Sequence, residues 1–111
     1  MYKKRSEIDA IAKAYLQELS KLGIKTNQVI LYGSFAKGNF REDSDIDLLI
    51  VSDSFKRKNL RRRLEILGIA AARIMQPIEA YGVTPHEIES PQKVSFFLKE
   101  ILNSGVVLKI K

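Results

Sequence analysis

Apolar residues recur along the chain at two spacings, and these spacings predict its helices and strands. From residue 8 to residue 19 they fall every three or four positions, which is typical of an amphipathic helix. Ser6 is the expected N-cap of this helix and Gly23 its expected end. The same spacing over residues 59–75 predicts a second helix, which Pro77 prevents from continuing. Its expected buried stripe consists of Leu60, Leu64, Leu67, Ala71 and Ile74.

A third helix and four short strands complete the predicted structure. Ser90 and Pro91 have the residue types of an N-cap and a first helical position, and the helix that they begin is expected to end near Gly105. Because helices and strands alternate without a linker, residues 1–111 are expected to form one domain of the α+β class. This two-layer α/β arrangement would have a mixed sheet of three to four strands with helices packed on it. The expected strands cover residues 28–32, 45–51, 78–83 and 106–110.

Composition narrows the classes of function. The chain has no cysteine and one histidine, which excludes disulfides and thiolate metal sites and disfavours zinc. No segment approaches the ~20 apolar residues that cross a bilayer, so we expect a cytoplasmic protein without a membrane partner. The net charge of +6 favours polyanionic partners such as nucleotides, RNA or an acidic protein. Lysine-rich proteins from hot environments have this charge without binding nucleic acid, so charge alone decides little.

Two aspartates at the start of the second strand give the clearest chemical signal. Side chains alternate along a strand, so Asp45 and Asp47 are expected to project to one face while Ile46 enters the core. Two neighbouring carboxylates repel each other unless a cation lies between them. Oxygen ligands suit Mg²⁺, whose coordination is commonly completed by substrate phosphates, and two such ions can hold the attacking and leaving oxygens of an in-line displacement. Taken alone, the pair could equally be solvated charges at the mouth of a strand.

A glycine-serine turn precedes the aspartates. Gly33 allows a phosphate to approach the backbone closely, and a helix starting there would direct free N–H groups at the phosphate. The Ser34 hydroxyl could add a donor, and Lys37 could place a cation near a triphosphate or extend into solvent. Alone, such a turn is more typical of an ordinary strand end. Together with the aspartates, it favours a nucleotide site.

These motifs resemble a known signature. Gly33 and Ser34, ten intervening residues and then Asp45-Ile46-Asp47 are similar to the signature of the polymerase-beta-like nucleotidyltransferase superfamily. The longer string Gly-Ser-Phe-Ala-Lys-Gly, followed by Ser-Asp-Ile-Asp-Leu, resembles its minimal nucleotidyltransferase branch. The similarity extends from the first helix to the last strand and implies a polymerase-beta-like nucleotidyltransferase core.

The resemblance also implies an activity and a third carboxylate. Members of the superfamily use Mg²⁺ to transfer a nucleoside monophosphate, commonly AMP from ATP, to a hydroxyl group, and a carboxylate on a neighbouring strand completes the site. Glu79 is the candidate because Pro77, Glu79 and Tyr81 share one face of the third strand. The family more often has aspartate there, and an exposed strand carboxylate is the other interpretation. The implied catalytic and metal-binding residues are Asp45, Asp47 and Glu79, and the implied nucleotide-binding residues are Gly33, Ser34 and Lys37.

Proteins of this branch are often paired with a small helical RNase toxin of the HEPN class. The resemblance therefore implies an antitoxin that adenylylates and neutralises such a toxin, and the alternatives are an antitoxin that acts by binding alone and an RNA-binding adaptor. Self-association is a further expectation, and one of the adjacent Phe96 and Phe97 is expected to be exposed for a partner. His86 is expected to cap a helical turn or to be exposed. The densest basic cluster, a candidate RNA contact or a solvated helix start, consists of Lys56, Arg57, Lys58, Arg61, Arg62 and Arg63.

Overall fold

The computed structural model describes residues 5–33, 45–89 and 95–109. The strands in these ranges are β1 (Gln28–Tyr32), β2 (Ile46–Val51), β3 (Ile78–Val83) and β4 (Val106–Leu108). They form one sheet in the order β3-β2-β1-β4. β1 is antiparallel to both β2 and β4, whereas β2 and β3 are parallel, so the sheet is mixed and the fold is α+β, as expected.

Helices lie on both faces of the sheet. The helices are α1 (Arg5–Lys21), a 3-10 helix (Asp53–Phe55), α2 (Leu60–Ile74), α3 (Pro85–Glu89) and α4 (Phe96–Ser104). α1 and α2 cover one face, and α4 covers part of the other. α2, preceded by the 3-10 helix, forms the crossover that a parallel pair such as β2 and β3 requires. None of the helices in the described ranges is long and apolar enough to span a bilayer.

One predicted helix start is wrong, and another lies outside the described residues. Ser6 lies inside α1, which already includes Arg5, so Ser6 is not the N-cap of this helix. The predicted start of the last helix at Ser90 and Pro91 falls outside the described residues. Within them α4 begins at Phe96, and its N-cap is Ser95, whose hydroxyl accepts a hydrogen bond from a backbone N–H of the first turn.

The predicted buried stripe of α2 is partly wrong. Leu67 and Ala71 are buried, but the side chains of Leu60 and Leu64 are 50% and 46% exposed. The buried face of α2 is rotated about the helix axis relative to the predicted stripe, because Arg63, one turn before Leu67, points inward. Its guanidinium donates to carbonyl groups on β3 and on the 3-10 helix. The four residues that α2 buries are Ile66, Leu67, Ala70 and Ala71.

The apolar run in β2 is covered on both faces. Leu48 and Ile50 pack against α1 and α2, while Leu49 and Val51 face α4. Asp47 belongs to the same face as Leu49 because side chains alternate along a strand. It lies at the start of β2 and is half-buried, so the α4 face carries the acidic residues of the sheet.

Candidate active site

Three polar side chains form a row across the sheet. Asp47 is the register partner of Tyr32 on β1 and of Glu79 on β3. Partners on adjacent strands lie ~5 Å apart and project to the same face. The structure therefore brings Asp47 and Glu79 together on the face that α1 and α2 leave open. Asp45 is exposed and immediately precedes β2, close enough to Asp47 for its charge to act on that carboxyl.

The pKa of Asp47 reflects the negative charge concentrated in this row. Burial raises the pKa of its carboxyl from 3.8 to about 6, with the charge of Glu79, a hydrogen bond shared with Glu79 and the charge of Asp45 adding to the effect. All four causes disfavour the ionised form, because like charges and partial desolvation act together. The site therefore has an excess of negative charge that a bound cation would compensate.

The raised pKa of Asp47 predicts that the stability of the fold depends on pH when no divalent metal is bound. Since the pKa of Asp47 is higher in the folded than in the unfolded chain, the folded state binds the proton more tightly, and the free energy of unfolding falls as pH rises from about 4 to about 7. A shift of this size corresponds to about 3 kcal/mol at full strength, which solvent screening at a half-exposed site reduces to about 1 kcal/mol. Urea denaturation in EDTA at several pH values should show this fall, and Asp47→Asn should lack it.

Gly33 directly follows β1 and lies next to the Asp47 carboxylate. Its φ of +72° lies in the left-handed region, and a Cβ at this position would overlap Oδ2 of Asp47. Glycine is required here both for the backbone conformation and for its close approach to the carboxylate. Ser34 and Lys37, the other predicted nucleotide-binding residues, lie outside the described residues.

A pair of glycine variants separates these two requirements. Gly23 has a φ of +88° but open space around its Cβ position, so Gly23→Ala is expected to cost only the backbone strain, about 1 kcal/mol. Gly33→Ala adds the overlap with Asp47 and is expected to lower the free energy of unfolding by about 2–3 kcal/mol. Chemical denaturation of both variants measures the difference. Equal losses would show that Asp47 does not constrain Gly33.

An aromatic group lies beside the carboxylates. The ring of Phe97 on α4 makes T-shaped contacts with Tyr32 and Tyr81, at centroid distances of 5.8 and 5.9 Å. Burial, together with the charges of Asp47 and Glu79, raises the pKa of Tyr32 to about 12. Both phenylalanines are exposed, Phe96 by 83% and Phe97 by 49%, whereas exposure was expected for one of the two. Tyr32 was not among the predicted site residues, although its place in the strand immediately before Gly33 was a usable signal.

The basic cluster does not form one patch of free cations. Arg63 is only 11% exposed; its guanidinium donates to Glu87 at 2.7 and 3.1 Å and lies 5.6 Å from the ring centroid of Phe55. Arg61 and Arg62 both pair with Glu65. Lys56 pairs with Asp53, and the Lys58 ammonium donates to a backbone carbonyl. His86 lies in the first turn of α3 with an exposed side chain, as expected.

The carboxylates suit a hard cation, although they do not enclose one. No group of three or more acidic or histidine side chains within the described ranges is arranged to hold a metal ion by itself. Mg²⁺ commonly uses one or two carboxylates together with waters and substrate phosphates. The carboxylates of Asp47 and Glu79, which face each other on adjacent strands, fit this arrangement. The backbone at Gly33 lies close beside them.

Comparisons with known proteins identify the family of the chain. A family model described as a nucleotidyltransferase domain matches residues 11–106. A "Putative protein adenylyltransferase" of Methanocaldococcus jannaschii is 36% identical over 103 residues, covering 90% of this chain and 97% of the relative. A second protein of that name from the same organism is 50% identical over 34 residues, covering 31% of this chain and 34% of the relative.

Solved structures share the fold. A putative nucleotidyltransferase from Sulfolobus solfataricus aligns over all of this chain and 93% of its own, with a TM-score of 0.62 and 21% identity. A toxin-antitoxin structure with AMP-PNP aligns over 89% of this chain and 73% of its own, with a TM-score of 0.59 and 17% identity. The match over residues 11–106, the relative of nearly equal length and the shared fold lead to one conclusion: this chain belongs to the nucleotidyltransferase domain family.

Proposed function

We propose that this protein transfers AMP from ATP, with Mg²⁺, to a hydroxyl group on a protein partner. The main support is that Asp47 and Glu79 face each other on adjacent strands, beside Gly33, in a chain of the nucleotidyltransferase family. The name of the M. jannaschii relative supports ATP as donor and protein as acceptor. A toxin-antitoxin complex among its fold neighbours is consistent with a HEPN-type RNase toxin as the partner that is neutralised.

The proposed reaction assigns a role to each side chain. The acceptor oxygen attacks the α-phosphorus of ATP, a new P–O bond forms, and the bond to the pyrophosphate breaks in line with the attack. Gly33, with Ser34 and Lys37, would hold the phosphates on the β1 side, while Glu79 would accept the proton of the acceptor hydroxyl. Asp45, Asp47 and Glu79 would hold magnesium, which neutralises charge on the phosphates and on the leaving group.

A purely binding antitoxin is the second candidate. It is favoured by the glutamate at position 79, where the resemblance noted above more often implies an aspartate. The RNA-binding adaptor has weaker support, because Arg63 is satisfied internally and Arg61 and Arg62 share Glu65. A protein partner therefore remains the better proposal.

Labelled nucleotide tests the proposal directly. The purified chain should be incubated with Mg²⁺, a HEPN-type protein from the same genome and ATP labelled at either the α- or the γ-phosphate. We expect α-label on a hydroxyl side chain of the partner, no γ-label, and one pyrophosphate released for each label incorporated. Neutralisation of the partner's RNase activity without any label would instead identify the binding antitoxin, and labelling of RNA alone would contradict a protein acceptor.

A further inference from the structure

A cleft of about 440 Å³ lies on the same face of the sheet as the carboxylates. Tyr81, Val83 and Leu98 form its apolar wall, and its polar groups come from Arg63, His86, Glu87 and Ser95. Tyr81 is two residues after Glu79 on β3, about 7 Å along the strand. The cleft therefore begins one side-chain position beyond the candidate site. Phe97, in contact with both Tyr81 and Tyr32, separates it from a smaller cleft beside Gly33.

If the proposed transfer takes place, its in-line geometry assigns different roles to the two clefts. Tyr32, Asp47 and Glu79 follow one another across strands β1, β2 and β3, and Gly33 comes directly after Tyr32 and lies against the Asp47 carboxylate. In an in-line displacement the attacking group lies opposite the leaving group. If the pyrophosphate lies near Gly33, the acceptor must approach from the side of Glu79. The large cleft is on that side.

β3 is also an edge strand of the sheet that the described residues form. Within the described residues its only strand neighbour is β2. Ile46 donates to the Pro77 carbonyl and Ser52 to the Val83 carbonyl, so the odd-numbered carbonyls of β3 face β2 and the backbone groups of Ala80 and Gly82 face outward. Arg63 occupies the Gly82 carbonyl at 3.1 Å. Ala80, the register partner of Leu48, therefore presents backbone groups that an added strand could pair with.

The charge of the cleft favours a polypeptide over RNA. Arg63 is the one member of the basic cluster in its wall, and Glu87 neutralises it. Glu79 adds negative charge at the near end, where a phosphate backbone would be repelled. An apolar side chain could instead contact Tyr81, Val83 and Leu98.

We propose that this cleft and the outer edge of β3 bind the acceptor protein as an extended segment. The segment pairs with the backbone at Ala80 as an additional strand. Its hydroxyl-bearing residue then lies opposite Glu79 and continues the row of Tyr32, Asp47 and Glu79. A residue two positions away projects to the same face opposite Tyr81, so the acceptor sequence has an apolar residue at that spacing.

Peptide binding tests this proposal without nucleotide or metal. Capped pentapeptides with serine, threonine or tyrosine at the centre would carry either leucine or glycine at both ends. Titration followed by NMR should show that leucine peptides bind about tenfold more tightly than glycine peptides. The amide signals of Ala80, Tyr81 and Val83 should shift, and N-methylation of the peptide backbone should weaken binding.

Two aromatic truncations provide a matched comparison. Tyr81→Ala is expected to weaken the leucine peptides about tenfold and Tyr81→Phe to leave them unchanged. Phe96→Ala removes an exposed ring outside the cleft and should have no effect. Equal binding of leucine and glycine peptides to the wild type, or shifts confined to other residues, would overturn the proposal, as would binding of single-stranded oligoribonucleotides to these residues instead. Binding as expected by a chain that transfers no label would contradict the proposed transfer while retaining the peptide site.

Discussion

Replacing Asp47 by asparagine is expected to lower the rate of AMP transfer about a thousandfold or more. The amide keeps the shape of the side chain but removes one of the two opposed carboxylates that would hold Mg²⁺. The same variant should unfold with a free energy about 1 kcal/mol higher than the wild type in EDTA at pH 7, because the repulsion from Glu79 and Asp45 is relieved. Transfer is measured with α-labelled ATP, and stability by urea denaturation.

Asp53→Asn is the control for this prediction. Asp53 follows the other end of β2, is exposed and pairs with Lys56 at 3.6 Å. Its replacement removes the same charge without touching the row, so the transfer rate should stay within about twofold and stability within about 0.5 kcal/mol. Retained transfer by Asp47→Asn would reject the assignment of Asp47. An equal loss in both variants would point to net charge and not to the row.

Arg63→Ala is expected to lower the free energy of unfolding by about 3 kcal/mol. The guanidinium joins four parts of the fold: Glu87 on α3 and the carbonyl groups of Phe55, Lys58 and Gly82. Truncation would leave these acceptors without their partner and remove the stacking on Phe55. Denaturation in urea at pH 7 measures the loss.

Arg62→Ala separates this effect from the loss of a positive charge. Arg62 is adjacent in sequence but exposed, with one ion pair to Glu65, and its truncation should change stability by less than about 0.5 kcal/mol. The hydrogen bond from Arg63 holds the pKa of Glu87 below its ordinary 4.5, so the pair stabilises the fold above that pH and its contribution is lost as pH falls below it. The difference between the two variants should therefore shrink in acid. Equal losses at pH 7 would contradict the structural role of Arg63.

The strands and the acidic row could be predicted because they depend on local pattern. β1 and β3 have the predicted bounds, since short apolar runs are ended by Gly33 and preceded by Pro77. The facing of Asp47 and Glu79 follows from strand alternation once β2 and β3 are neighbours. Their role as metal ligands remains a prediction.

The surroundings of the row could not be predicted, because they depend on contacts between distant segments. Arg63 and Glu87 are 24 residues apart, and their pairing rotates α2 so that Leu60 and Leu64 face outward. Helical spacing alone had predicted that those leucines belong to the core. Two signals were present: cations at a helix start oppose its dipole, and Thr84 with Glu87 has the spacing of a capping box, whose two hydrogen bonds the structure contains.

The parallel pairing of β2 and β3 links the arrangement of the carboxylates to the folding of the chain. A slip of β3 by one residue would turn Glu79 toward α2 and bring Ile78 and Ala80 to the open face. Such a chain would bury a carboxylate in the apolar layer and expose two residues that pack against it. Burial of the core therefore selects the register in which Glu79 faces Asp47. A sequence change that preserves the packing of β3 also preserves the acidic row, even when it lies far from any substrate.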